Sequence, residues 1–285
     1  KLTMKVCGSN PKWILFGFML VTMVFSMLIS NTATTAMVIA SLMPLLLKLG
    51  KESVVGKGLI LGVPIAATTG GMGTIIGSPP NAIAVGALID AGHQMDFVKW
   101  IFYGLTVAVV LTFLSWCVLV KLFMKNAGPV SLDSSNSPVT VIPTDFRIKR
   151  LTVFIILLVT LVLWLTSPIH FLTASAVSAV PLVFLPLAGI LNGEDIRAMG
   201  WDTLILVAGG LALGTGLQQT GLLDLYAGRI AILEVNHVVF FFLLAYATMF
   251  FSNIMSNTAT ATVLIPLGMA ILPEYSTEIA MIIGL

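Results

Sequence analysis

Charged residues are scarce in this sequence. Only 9% of its 285 residues are charged, against about 25% in an ordinary soluble domain, and 58% are hydrophobic. The mean hydropathy is +1.06. A chain with so little charge cannot cover a surface that faces water on all sides. The sequence therefore predicts an integral, polytopic, all-α membrane protein.

An excess of charge of one sign and a cysteine framework are missing as well. The 14 basic and 12 acidic residues leave a formal net charge of +2, which gives no reason to expect a nucleic-acid partner. The two cysteines, Cys7 and Cys117, show no metal-ligand spacing. No pattern pairs a nucleophile with a base, so the sequence disfavours an enzyme acting within the membrane.

A ten-residue stretch occurs twice in the chain. FSMLISNTAT, residues 25–34, returns as FSNIMSNTAT, residues 251–260, with seven of ten positions identical at an offset of 226. Each copy interrupts an apolar region with hydroxyls and an amide. In a bilayer such a break is tolerated only where it lines a cavity or binds a ligand. Two breaks at corresponding places predict two structural repeats that share a binding site, with the two tips near the midplane.

The lengths of the apolar segments predict the architecture. Neither segment beside the first copy reaches the roughly 20 residues of a membrane-spanning helix, so a re-entrant helical hairpin is predicted there and at the second copy. Glycines followed by Pro79 and Pro80 are predicted to unwind a crossing helix. The first repeat is predicted over residues 1–125 and the second over 151–285, with a Ser/Pro-rich linker at 126–150. The predicted segments are a hairpin over 13–47, a broken crossing helix over 58–90, crossing helices over 100–120, 151–166, 171–191 and 203–226, and a hairpin over 238–272, with polar loops at 50–57 and 192–200.

The basic residues predict the orientation of this chain. Five predicted crossings separate the hairpins, so the hairpins enter from opposite sides of the membrane. With the first hairpin open to the cytoplasm, twelve of the 14 basic residues are cytoplasmic, and only Lys99 and Arg229 are outside. We therefore predict inverted repeats, and a bacterial inner (plasma) membrane is the expected location.

The two tips carry uncharged oxygen donors. Ser26 lies four residues, one helical turn, before Ser30, and Ser252 and Ser256 repeat this spacing. Neutral hard oxygens without Asp or Glu suit Na⁺ better than a divalent ion. The Asn and Thr of each copy, with free helix N–H groups, are donors for a carboxylate. Because neither tip holds Lys or Arg, bound cations would have to balance the anion, which predicts coupling.

Together with the break GSPPN at residues 77–81, these motifs resemble the divalent anion/sodium symporter family, the INDY-like transporters of di- and tricarboxylates. The resemblance covers nearly all of the chain. It implies sodium-coupled transport of a dicarboxylate such as succinate by an elevator-type homodimer with a scaffold and a moving transport domain. The family's N-terminal scaffold helices and its second proline-rich break are expected beyond the two ends of this chain.

The resemblance also implies the residues of each site. One sodium site would use Ser26, Ser30, Asn31 and the Gly77 carbonyl. The other sodium site would use Ser252, the Met255 carbonyl and Asn257. The implied substrate contacts are Asn31, Thr32, Ser78, Pro79, Asn257 and Thr258.

Other functions stay open at this point. A related carrier could take sulfate or arsenite or be coupled to H⁺, and an anion channel would also use helix-end ion sites. Saturable, Na⁺-dependent uptake would identify a carrier, whereas a conductance that does not saturate would identify a channel.

Overall fold

The computed structural model describes residues 9–50, 52–125, 128, 144–170, 172–222, 225 and 236–285. These residues contain helices and no strand, which confirms the all-helical prediction. The helices are α1 Pro11–Ser26, α2 Asn31–Leu49, α3 Val54–Gly71, α4 Pro79–Asp90, α5 Phe97–Phe123, α6 Thr144–Leu165, α7 Ser167–His170, α8 Ala174–Leu187, α9 Gly193–Arg197, α10 Trp201–Gln219, α11 His237–Ile254, α12 Asn257–Ile271 and α13 Ser276–Gly284, with a 3₁₀ turn at Pro273–Tyr275 before α13.

Several of these helices have the length and composition of membrane spans. Within the described residues, five are long and apolar enough to cross a bilayer: α2, α3, α5, the part of α6 from Arg147 to Leu165, and α11. Helices α1, α8 and α12 are apolar but shorter. The chain is therefore a multi-pass membrane protein.

The repeated motif is less of an interruption than the sequence analysis expected. The hydroxyl of Ser30 accepts a hydrogen bond from the Ala33 N–H (3.3 Å), which caps α2 and lets the helix begin at Asn31. Helix α2 is therefore 19 residues long, and the expectation that both halves of the hairpin 13–47 are too short to span is wrong for α2. Ser256 caps α12 in the same way through Ala259 N–H (3.1 Å). The re-entrant path of the two hairpins stays a prediction.

Other predicted boundaries shift because helix caps extend or shorten the helices. Ser53 caps α3, so the predicted loop 50–57 ends at Val54. Thr173 caps α8, which is 14 residues long instead of covering 171–191. Helix α6 begins inside the predicted linker 126–150, whose residues 126, 127 and 129–143 lie outside the described residues. The predicted segments 100–120, 151–166, 203–226 and 238–272 correspond to α5, α6, α10 and the pair α11 and α12, and the polar loop 192–200 contains the short α9.

The helix is interrupted within the predicted segment 58–90, and the prediction that its two parts form a single crossing stays a prediction. Helix α3 ends at Gly71, residues 72–78 are not helical, and α4 begins at Pro79. Proline is well suited to the first turn of a helix because its missing N–H would have no partner there. We call residues 72–78 the α3–α4 break.

Packing divides the chain into two compact units. Unit 1 comprises residues 1–78 and 100–138, and unit 2 comprises residues 79–99 and 139–285. Helix α4 belongs to the predicted first repeat by sequence but packs within unit 2, against α12 and α13. The division of the chain into repeats over 1–125 and 151–285 stays a prediction.

In unit 1, helices α1 and α3 pack in close contact because glycines on α3 leave room for α1. A Cβ at Gly62 would lie 2.7 Å from the Leu15 side chain, and one at Gly70 would collide with the Met23 backbone. Helix α2 contributes a smaller cluster against α3. The buried residues of the larger cluster are Ile14, Leu15, Met19, Val55, Leu59, Ala66, Leu119 and Met124, and those of the smaller one are Val38, Leu42 and Val63.

In unit 2, helix α12 is surrounded by α4, α10, α11 and α13. A Cβ at Gly268 would lie 2.7 Å from the Ile279 side chain, so α12 and α13 are in close contact. Gly210 of α10 lies directly against the Thr262 side chain. This packing fixes the helix that begins with the second SNT sequence.

Candidate ion and substrate site

In unit 1 the predicted site begins with a hydrogen bond between two residues of the first SNT region. The hydroxyl of Ser26, the last residue of α1, donates to Oδ1 of Asn31, the first residue of α2, at 2.7 Å. Ser26 is fully buried and Asn31 is half-buried. The structure therefore brings together two of the predicted sodium ligands.

Two glycines extend this arrangement to the α3–α4 break. A Cβ at Gly71 would lie 2.5 Å from Oδ1 and 2.7 Å from Nδ2 of Asn31. A Cβ at Gly77 would in turn lie 2.5 Å from the Gly71 carbonyl oxygen. Gly77, another predicted sodium ligand, thus lies against the residue that contacts Asn31. A side chain at Gly71 would displace the Asn31 amide, and one at Gly77 would collide with the Gly71 backbone.

Further hydrogen bonds hold the α3–α4 break beside the tip. The hydroxyl of Thr74 donates to the Met27 carbonyl at the end of α1. Trp100 Nε1 donates to the Met72 carbonyl (3.1 Å) from α5. The hydroxyls of Thr69 and Thr112 lie 2.7 Å apart and join α3 to α5 deeper in the unit. These contacts fix the backbone that carries Gly71 and Gly77.

Helix ends determine the electrostatics of this site. The C-terminal ends of α1 and α3 both reach Asn31, through Ser26 and Gly71. Each helix C-terminus carries the equivalent of about half a negative charge. The N-terminal end of α2, where Asn31 lies, carries the opposite partial charge, but two C-terminal ends outnumber it. Together with neutral hydroxyl and amide oxygens, they favour a monovalent cation.

The remaining predicted residues of unit 1 are placed differently. Ser30 is exposed, and its hydroxyl is used as the cap of α2. Thr32 is exposed in the first turn of α2, and Ser78 is half-buried at the end of the α3–α4 break. An exposed Thr32 remains accessible to a ligand outside the tip.

In unit 2 the equivalent residues do not repeat the hydrogen bond of Ser26. The Ser252 hydroxyl donates to the Met249 carbonyl of its own helix (3.1 Å). Met255 is the exposed C-cap of α11, and Asn257 is exposed at the start of α12. Thr258 is buried, with 8% of its surface exposed, unlike Thr32. Two glycines of unit 2 also lie in close contact with a neighbouring helix. Gly210 contacts the Thr262 side chain and Gly268 contacts the Ile279 side chain, so neither is placed as Gly71 is, against the asparagine of the motif.

Four residues of interest were missed by the sequence analysis. Gly71 and Thr74 lie some 40 residues from the tip in sequence and reach it only through folding. Thr34 and Thr260 are buried, and their hydroxyls have no hydrogen-bond partner among the described residues. Their signal was in the sequence, since threonine stands at the last position of both motif copies.

The chemistry of the donors is uniform. The described residues contain no group of three or more His, Cys, Asp or Glu that could hold a metal ion. The oxygens of the tip in unit 1 are hydroxyl, amide and backbone carbonyl groups. Such a set has no fixed charge to offset a divalent ion, so it suits a monovalent cation better than a divalent one.

Apolar helices of membrane-spanning length and a polar helix junction with cation-binding chemistry define a polytopic membrane protein with a candidate ion site. The chain belongs to the CitMHS family, described as citrate transporter, whose family model matches residues 1–284. This match and the relatives below confirm the resemblance given by the SNT sequences.

Curated relatives are similar over most of this chain. It is 28% identical to the sodium-dependent high-affinity dicarboxylate transporter 3 of Caenorhabditis elegans, over 93% of this chain and 56% of that protein. It is 30% identical to the sodium-dependent dicarboxylate transporter SdcS of Staphylococcus saprophyticus, over 91% of this chain and 56% of that protein. It is 29% identical to the low-affinity phosphate transporter PHO90 of Saccharomyces cerevisiae, over 91% of this chain and 29% of that protein. The chain thus spans about half or less of the length of these relatives.

Proposed function

We propose that the protein is a secondary active transporter that couples the movement of Na⁺ to that of a di- or tricarboxylate such as succinate. The observation that carries this proposal is the junction of Ser26, Asn31, Gly71 and Gly77 in unit 1. It offers neutral oxygens and two helix C-termini to a cation. The sodium-dependent dicarboxylate transporters among its relatives support the choice of ion and substrate.

The proposed roles of the residues are those that the family resemblance implies. Ser26, Ser30, Asn31 and the Gly77 carbonyl bind one Na⁺, and Ser252, the Met255 carbonyl and Asn257 bind another. Asn31 and Thr32 donate to a carboxylate in unit 1, and Ser78 and Pro79 are further proposed substrate contacts. Asn257 and Thr258 do so in unit 2. Bound Na⁺ supplies the positive charge that no Lys or Arg provides at either tip, so the anion binds well only after the cation.

The architecture, assembly and location of the transporter belong to the same proposal. The re-entrant hairpins, the inverted orientation of the repeats, the elevator-type movement and the homodimer rest on the family resemblance and on the charge pattern. The bacterial inner membrane is also part of the proposal, because the relatives include proteins of animals and fungi as well as bacteria.

Uptake of radiolabelled succinate into proteoliposomes containing the full-length protein tests the function. We expect saturable uptake with an inward Na⁺ gradient and none when K⁺ replaces Na⁺. Asn31→Ala and Asn257→Ala should each abolish this uptake while the protein still folds and assembles. The matched control is Asn253→Ala, because Asn253 is exposed and its amide donates to the Met249 carbonyl of its own helix (2.6 Å). Uptake that is normal in either Asn31→Ala or Asn257→Ala would contradict the site.

A second candidate substrate is inorganic phosphate, which the similarity to the yeast phosphate transporter PHO90 favours. Competition distinguishes the two substrates. Succinate uptake that is blocked by other dicarboxylates and not by phosphate supports the first candidate. Labelled phosphate uptake without succinate uptake supports the second, and a conductance that does not saturate would indicate a channel.

A further inference from the structure

The hydroxyls of helical threonines in this chain have a common arrangement. A threonine within a helix usually donates to the carbonyl four residues earlier, because that acceptor is always within reach. Threonines of this chain that do so include Thr22, Thr68, Thr106, Thr152, Thr160 and Thr248. A buried threonine that departs from this arrangement therefore has its hydroxyl turned elsewhere.

Thr34 and Thr260 both depart from it. They are 0% and 2% exposed, and neither hydroxyl has a hydrogen-bond partner among the described residues. A buried hydroxyl without a partner is unfavourable, so one such group in a helix is unusual. Here it occurs twice, at the same position of the two motif copies, 226 residues apart.

The positions of these two threonines relate them to the predicted cation ligands. Thr34 follows Asn31 by three residues on α2, and Thr260 follows Asn257 by three on α12. Residues three apart on a helix are neighbours on one face, with Cβ atoms about 5–6 Å apart. The side chain of each threonine is therefore a neighbour of the asparagine that is a proposed Na⁺ ligand.

The buried faces of the two helices show that neither threonine faces lipid. Thr34, Val38 and Leu42 are the buried residues of α2, and Val38 and Leu42 pack against Val63 of α3. Thr260 shares a face of α12 with buried Leu264 and Gly268. Both hydroxyls are thus enclosed within their units, one turn inward from the tips.

We propose that the hydroxyls of Thr34 and Thr260 are further oxygen ligands of the Na⁺ sites, one in each hairpin. A hydroxyl that has no acceptor of its own keeps its lone pairs free for a cation. In unit 1 the adjoining C-terminal ends of α1 and α3 favour a cation over an anion at this depth. This proposal rests on the proposed sodium coupling, and it adds the last threonine of each motif copy to the proposed Na⁺ ligands.

Thr262 provides a comparison within the same helix. Its hydroxyl is also buried and without a partner among the described residues. It packs against Gly210, and its counterpart at offset 226 is Ala36, so it lacks the repetition that distinguishes Thr260. Thr262→Val therefore makes the same chemical change without removing a proposed ligand.

The test is a Na⁺ titration of the thermal stability of the purified full-length protein, with choline as the replacing cation. Valine has the shape of threonine without its hydroxyl. We expect Thr34→Val and Thr260→Val each to raise the half-saturating Na⁺ concentration about tenfold or more, the scale of losing a group that supports a metal site. Thr34→Ser and Thr260→Ser should stay near the wild type because they keep the hydroxyl, and Thr262→Val should match it.

Each outcome of the titration has a separate meaning. A valine variant that keeps the wild-type half-saturating concentration overturns the assignment for that hydroxyl and leaves sodium coupling intact. A wild-type protein that Na⁺ does not stabilise, and that takes up succinate equally in K⁺, overturns the proposed coupling and this assignment with it. An equal shift in Thr262→Val would show that the effect comes from packing and would also overturn it.

Discussion

Ser26 and Ser252 occupy the same position of the repeated motif but have different surroundings. Ser26 is fully buried and donates to Asn31, whereas Ser252 is half-buried and donates within its own helix. We expect Ser26→Ala to lower the free energy of unfolding by about 1–2 kcal/mol, because the Asn31 oxygen loses its donor. Ser252→Ala should cost less than about 1 kcal/mol, since water can replace the bond. Denaturant unfolding in Na⁺-free buffer measures both, and equal losses would contradict the asymmetry.

Local spacing explains which residues of the site could be predicted. One helical turn between Ser26 and Ser30 predicted that their hydroxyls face the same side, and the family resemblance added Asn31 to this group. The role of Ser30 as a helix cap was not predicted, because a cap and a ligand have the same residue types. Gly71 was missed because its contact with Asn31 depends on how α2 and α3 pack. A single sequence does not reveal such packing.

At the scale of elements, the approach of α3 to the start of α2 makes a prediction. A Cβ at Gly71 would lie 2.5 Å from the Asn31 amide oxygen, so Gly71→Ala must displace that amide from Ser26. We expect the Na⁺ concentration that half-saturates succinate uptake to be about tenfold or more higher in Gly71→Ala than in the wild type. Gly56→Ala is the matched control on the same helix. Its Cβ would have its nearest described neighbour at 3.5 Å, and alanine favours helix, so wild-type uptake is expected. Normal Na⁺ dependence in Gly71→Ala would contradict the close contact.

Breaks in helices were predicted better than their beginnings. Pro79 and Pro80 cannot continue α3, and glycines precede them, so the α3–α4 break follows from backbone chemistry alone. Helix α2 begins at Asn31, inside the motif that the sequence predicted as an interruption, because Ser30 caps the helix. Likewise Ser53 moves the start of α3 into a predicted loop. Capping residues are polar, so hydropathy alone places helix starts too far inward.

At the scale of the whole molecule, the orientation of the two hairpins in the membrane is a prediction from charge. Twelve of 14 basic residues lie on one side if five crossings separate the hairpins. That pattern puts the loop after α2 in the cytoplasm and the loop after α12 outside. Two exposed acidic residues mark these loops, Glu52 and Glu274, and the Glu52 side chain is 94% exposed.

Labelling of single cysteines checks this orientation in sealed vesicles. In the full-length protein with Cys7 and Cys117 replaced by serine, Glu52→Cys should react with a membrane-impermeant maleimide only from the cytoplasmic side. Glu274→Cys should react only from the outer side. The two variants are matched, since each replaces an exposed glutamate and leaves all basic residues in place. Labelling of both from the same side would mean that an even number of crossings separates the hairpins. The repeats would then not be inverted, and both hairpins would enter the membrane from the same side.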